Sequence, residues 1–188
     1  MDFSVVAERL RRAVVEIRSD AGRGAGCGIA WRAGLVVTSA HVVDGHRATA
    51  VVAGEPRPAT VLARDPVRDL ALLAPAGGAP PAPPVRDSRS LRVGELVLAI
   101  GAPFGVPGAV AAGIVHATER RGPLGTRWVV ADIRLFPGNS GGPLADAAGA
   151  VVGVNAMIVG GLACAVPSDV IDEFVDGALR RARPDEAA

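Results

Sequence analysis

Apolar residues in this chain come in short runs, separated at close intervals by glycine, proline and aspartate. Residues 14–17, 28–31, 35–38, 49–52, 60–62 and 70–73 have the length and β-branched content of strands. A second series begins at 95–100 and continues through 109–117, 128–133, 150–155 and 162–166. Between the two lies 75–84, where prolines lack donors and glycines resist ordering, so it predicts an irregular crossover. Helical periodicity is confined to the ends. Ser4 is placed to cap a short helix over 5–12 with Val6 and Leu10 on one face. Ser168 is placed to cap a longer one, in which Val170, Ile171, Phe174, Val175, Ala178 and Leu179 form an apolar stripe. The pattern predicts an all-β chain of two similar halves, 1–84 and 85–188, with a helix at each end.

Composition narrows the function. The chain has 188 residues, 49% hydrophobic and 21% charged, with a formal net charge of +1. That supports a sizeable core and gives no reason to expect nucleic acid as a partner. No lysine occurs, which excludes a lysine base or Schiff base. Two cysteines and three histidines cannot make a structural zinc site, so no metal and no cofactor are expected. Cys27 and Cys164 read as buried free thiols, with a single bridge between them as the alternative. Residues 147–166 carry no formal charge, but Gly149, Gly153, Asn155, Gly160 and Gly161 interrupt them. Two buried strands and a turn fit better than a membrane span, so no membrane insertion is expected.

Three segments carry chemistry. His41 ends a strand in Thr38-Ser39-Ala40-His41-Val42-Val43. Asp69 precedes Leu70-Ala71-Leu72-Leu73. Ser140 sits in Gly138-Asn139-Ser140-Gly141-Gly142, a turn whose glycines imply special backbone geometry. A serine hydroxyl needs a base within reach, and the base needs a partner that fixes its tautomer. His41 and Asp69 can fill those roles. Backbone N–H groups of Gly138, Asn139 and Ser140, those of Gly138 and Ser140 foremost, can converge on a developing oxyanion. The Gly-x-Ser-x-Gly pattern also fits the α/β-hydrolase elbow, where histidine follows serine. No histidine follows Ser140 here, and the order His41, Asp69, Ser140 excludes that fold.

With these segments the chain resembles the chymotrypsin-fold peptidases, and among them the HtrA/Deg branch. The resemblance runs through 38–43, 65–73, 91–95, 100–105, 113–115, 137–144, 152–155 and 165–168. It implies two six-stranded antiparallel β-barrels with His41, Asp69 and Ser140 in the cleft between them, acting as a serine endopeptidase on polypeptide substrates. The alternative on the same fold is a silent or gated binding module. The resemblance also implies substrate-pocket walls from Arg134, Leu135, Phe136 and Pro137 before the nucleophile and from Val154, Asn155 and Ala156 beyond it. Arg134 in the pocket would favour an acidic residue before the cut; on an alternating strand it would instead face solvent, leaving small to medium aliphatic residues as the default. Asn139 stands where digestive-type members carry an aspartate, so activation by an inserted N-terminus lacks its counter-charge.

Other polar residues receive plainer readings. His46 and His116 lack motifs and are expected to be structural or solvated. Asp65 is the nearest rival to Asp69, and Asp132 is expected near the cleft. Arg120, Arg121 and Arg127 are expected in a solvated loop. Relatives form trimers through N-terminal segments, so a homo-oligomer is possible on that analogy. As the sequence is written, it predicts a cytoplasmic protein, or a periplasmic or secreted one if a signal has been removed. No PDZ domain is expected after Pro167.

Overall fold

A computed structural model of the chain describes residues 2–20, 25–121 and 126–182. Helix α1 (Ser4–Arg11) leads into six strands: β1 (Val14–Ser19), β2 (Ala25–Ala30), β3 (Val36–Thr38), β4 (Arg47–Val52), β5 (Glu55–Asp65) and β6 (Leu70–Pro75). These close into an antiparallel barrel in the order β1-β2-β3-β6-β5-β4. A second barrel contains β7 (Leu96–Gly101), β8 (Ala109–Arg121), β9 (Arg127–Asp132), β10 (Pro143–Asp146), β11 (Val151–Val159) and β12 (Leu162–Pro167). Its order is β10-β11-β12-β9-β8-β7, and helix α2 (Ser168–Ala182) follows. This is the chymotrypsin-like double barrel.

The near-continuous apolar runs have a simple cause. Side chains alternate between two faces of a strand, and here both faces are buried. Val15 and Ile17 of β1 and Ala71 and Leu73 of β6 fill the first barrel. Val97 and Ala99 of β7 and Val129 and Ala131 of β9 fill the second. The opposite faces, with Ile29, Leu70, Leu72, Trp128, Val130 and Val166, join Ile171, Phe174 and Val175 of α2 in a third cluster shared by both barrels.

Within residues 147–166, β11 and β12 form a hairpin closed by Gly160 and Gly161 at φ +60° and +83°. Two consecutive positive φ values define the turn that matches strand twist, and glycine accepts both. Strand β10 went unread in the sequence because it is four residues long and starts on a proline. The helix caps differ from expectation. Ser4 is already helical, and its N–H donates to Asp2 Oδ1 at 2.9 Å. Ser168 turns its hydroxyl to the 85–88 segment, donating to Arg86 O (2.6 Å) and accepting from Ser88 N–H (3.0 Å). Arg127 is not in a solvated loop: its guanidinium donates to Asp169 and, at 3.3 Å, to Ser88 Oγ. The side chains of Arg120 and Arg121 lie outside the described residues. Both cysteines are buried, and neither is in a disulfide.

Candidate functional site

His41 and Asp69 meet as one hydrogen-bonded pair in the first barrel, and Ser140 lies in a turn of the second barrel that β2 of the first contacts. β3 ends at Thr38, and His41 follows in a single helical turn, Ala40–Val42. Arg64 of β5 pins that turn, donating to Ala40 O at 3.1 and 2.8 Å. Asp69 immediately precedes β6 at φ +55°, a conformation that aspartate tolerates better than most residues. Its carboxylate accepts the His41 backbone N–H at 3.0 Å and lies 3.0 and 2.9 Å from His41 Nδ1. The imidazole is 52% exposed and the carboxylate 14%. The hydrogen bond from Asp69 raises the His41 pKa above its ordinary 6.5, against a smaller opposing effect of burial, and the carboxylate charge adds to the rise.

Ser140 lies in the turn between β9 and β10 and is half-buried. β2 of the first barrel straps this turn from behind. Cys27 N–H donates to Ser140 O (2.8 Å), and the Cys27 thiol donates to Gly138 O (3.3 Å). Burial pushes the Cys27 thiol up to about 12, so it remains a donor. Ala102 N–H also donates to Gly138 O, at 3.0 Å. Asn139 N–H is taken by Phe136 O at 3.0 Å, which removes it from the set of free oxyanion donors. Among the described hydrogen bonds, none uses the N–H of Gly138 or Ser140, and none joins the Ser140 hydroxyl to His41.

Beside Ser140 is a cavity of about 220 Å³ lined by Leu135, Phe136, Pro137, Asn139, Asn155 and Ala156, with Met157 and Ile158 at its β11 edge. Two of the expected pocket residues lie elsewhere. Arg134 is exposed and outside the lining, and Val154 is fully buried in the shared cluster. Met157 and Ile158 were missed because β11 shifts register between Asn155 and Met157, so simple alternation does not carry past Asn155. Asn155 ties the site together. Its O accepts from Gly141 N–H (2.8 Å) and from the Ser39 hydroxyl (3.2 Å), and its amide donates to Pro143 O (3.0 Å). Ser39 sits two residues before His41, yet nothing in the sequence announced this contact.

The remaining polar candidates stand apart. Asp65 accepts from Val67 and Arg68 N–H at 3.0 Å each, as a turn residue does. His46, His116 and Asp132 are exposed. Among the described residues there is no cluster of His, Cys, Asp or Glu fit for a metal, and no helix long and apolar enough to cross a membrane.

Residues 25–154 match the model of the trypsin-like peptidase domain. Mitochondrial serine protease HTRA2 of Bos taurus is 39% identical over 152 residues, which cover 76% of this chain and 33% of that protein. A probable periplasmic serine endoprotease, DegP-like, of Marinomonas sp. is 40% identical over 153 residues, with the same coverage of 76% and 33%. The chain thus spans about a third of the length of these relatives. A solved HtrA-type protease with a tripeptide superposes at TM-score 0.88 and 29% identity, covering 97% of this chain and 65% of its own.

Proposed function

Because the chain belongs to the trypsin-like peptidase family, we propose that it is a serine endopeptidase in which Ser140 is the nucleophile, His41 the general base and acid, and Asp69 the group that orients His41. The observation that carries this reading is the Asp69 carboxylate 2.9 Å from His41 Nδ1, which leaves Nε2 as the nitrogen available to a serine hydroxyl. Ser140 Oγ attacks the peptide carbonyl carbon as His41 takes its proton. The negative oxygen is met by the N–H groups of Gly138 and Ser140. The C–N bond breaks as His41 returns the proton to the departing amine, leaving an acyl-enzyme. Water repeats the sequence and frees the acid. The apolar cavity beside Ser140 has no charged side chain in its lining, so a small or medium aliphatic residue before the cut suits it. Protein quality control or processing is the role the HtrA resemblance suggests.

One observation favours a second reading, a gated peptidase: the Ser140 hydroxyl and His41 are not hydrogen-bonded in this conformation, and such bonds often tighten only with substrate present. A fluorophosphonate probe and unfolded casein separate the readings, with Ser140→Ala as control. Labelling and cleavage by the wild type at neutral pH, both lost in the variant, support the first. Labelling that needs an added peptide supports gating. Absence of both under every condition overturns the assignment of Ser140.

A further inference from the structure

Three adjoining hollows run outward from Ser140. The cavity beside Ser140 shares Pro137 with a second hollow, lined by Gly138, Gly26, Ala25, Phe104 and Glu16. That hollow shares Glu16 and Ala102 with a third, of about 430 Å³, whose far wall carries Arg11 and Arg12 at the end of α1. The three adjoin through these shared residues and lead away from the cavity that the proposed mechanism gives to the residue before the cut.

The trough is shaped and charged. Phe104 lines the second hollow, 77% exposed at φ +55°, and its ring packs on Phe136 of the first with centroids 5.1 Å apart. A bulky residue held exposed in left-handed backbone is strained, and such strain concentrates at functional positions. Farther along, Glu16 is paired with Arg18 at 2.8 Å. Arg11 is fixed by its Nε donating to Gly108 O at 2.6 Å. The Arg12 guanidinium is exposed and makes no hydrogen bond or ion pair among the described residues. The charges along the trough are therefore a carboxylate already paired with Arg18, where the second and third hollows meet, and two guanidiniums at the far end.

We infer that this trough binds the leaving-group side of the polypeptide substrate and that Arg12 selects an acidic residue on its distal part. The inference rests on the assignment of Ser140 as nucleophile. An acidic residue close to the cut meets no arginine in the lining of the second hollow; one farther along meets Arg12 and Arg11. Exposed charge pairs of this kind change affinity by about threefold to fivefold and weaken as salt rises.

The test uses peptides identical on the acyl side, with one glutamate or one arginine walked along the leaving side. The kcat/KM ratio of each Glu/Arg pair is measured for the wild type and for Arg12→Glu. Fluorophosphonate labelling of Ser140 is recorded for each protein. The expected result is a wild-type ratio near one next to the cut and about threefold to fivefold above one at a distal position, shrinking in high salt. Arg12→Glu is expected to invert the distal ratio. Equal rates for every pair, or a distal preference that survives Arg12→Glu, overturn the proposal while labelling keeps the Ser140 reading standing. A wild type that neither labels nor cleaves removes that reading, and this one with it.

Discussion

His41 is the residue whose environment most directly sets how the site responds to pH. In the proposed mechanism its neutral form is the base, so activity should fall as pH drops through its pKa. Asp69 holds that pKa above 6.5, which places the acidic limb of kcat/KM above 6.5. Asp69→Asn removes both the carboxylate hydrogen bond and the charge that raise the value. The limb should then move to lower pH while kcat falls on the order of ten-thousand-fold, as expected when the imidazole loses the partner that fixes its tautomer. Asparagine accepts φ +55° as readily as aspartate, so the backbone at position 69 need not change. A pH–rate profile of both proteins on one peptide reads this out. An unmoved limb would mean that another group titrates.

At the level of elements, the site depends on β2 and the Ser140 turn lying backbone to backbone. Gly141 is where they come closest: a Cβ there would stand 1.9 Å from Cys27 O and 2.3 Å from Thr38 Oγ1, at φ +81°. Gly45 has a similar φ of +95° but nothing within 4 Å of its would-be Cβ. Gly45→Ala should therefore cost only backbone strain, about 1–3 kcal/mol. Gly141→Ala should cost more in urea unfolding and also abolish fluorophosphonate labelling, because β2 must withdraw from the turn that holds Gly138 and Ser140. Equal effects of the two substitutions would show that the close approach does not support the site. The strand runs, the hairpin at Gly160 and the three segments holding His41, Asp69 and Ser140 were legible in the sequence because each has a local signature. Arg64, Ser39 and Asn155 act through partners distant in sequence, and a β-bulge moved the pocket lining away from the alternation that sequence can show. The same limit hid Arg127, whose partners Ser88 and Asp169 come from two other segments.

For the whole molecule, the question is whether two barrels unfold as two units. The shared cluster says otherwise. Ile29, Leu70 and Leu72 from the first barrel and Val130, Val154 and Val166 from the second meet α2 through Ile171, Phe174 and Val175. Trp31, just beyond β2, belongs to this cluster and donates from Nε1 to Asp172 Oδ1 of α2 at 3.0 Å. Beside it Arg32 pairs with Asp172 at 2.7 Å and Asp176 at 3.0 Å; these ions are exposed and add little, so the apolar contacts carry the coupling. Separating the barrels would expose the cluster on both, a penalty that favours a single cooperative transition. The chain has one tryptophan on each side, Trp31 and Trp128, and both lie in the cluster. Replacing either by phenylalanine leaves a fluorescence probe in one barrel, and within each variant its denaturant midpoint should coincide with that from circular dichroism. Phe174→Ala should lower both midpoints together, by about 3–5 kcal/mol in stability, even though Phe174 belongs to neither barrel. If the two probes separate, or Phe174→Ala moves only one of them, the barrels are independent folding units and the cleft between them is held by less than the cluster suggests.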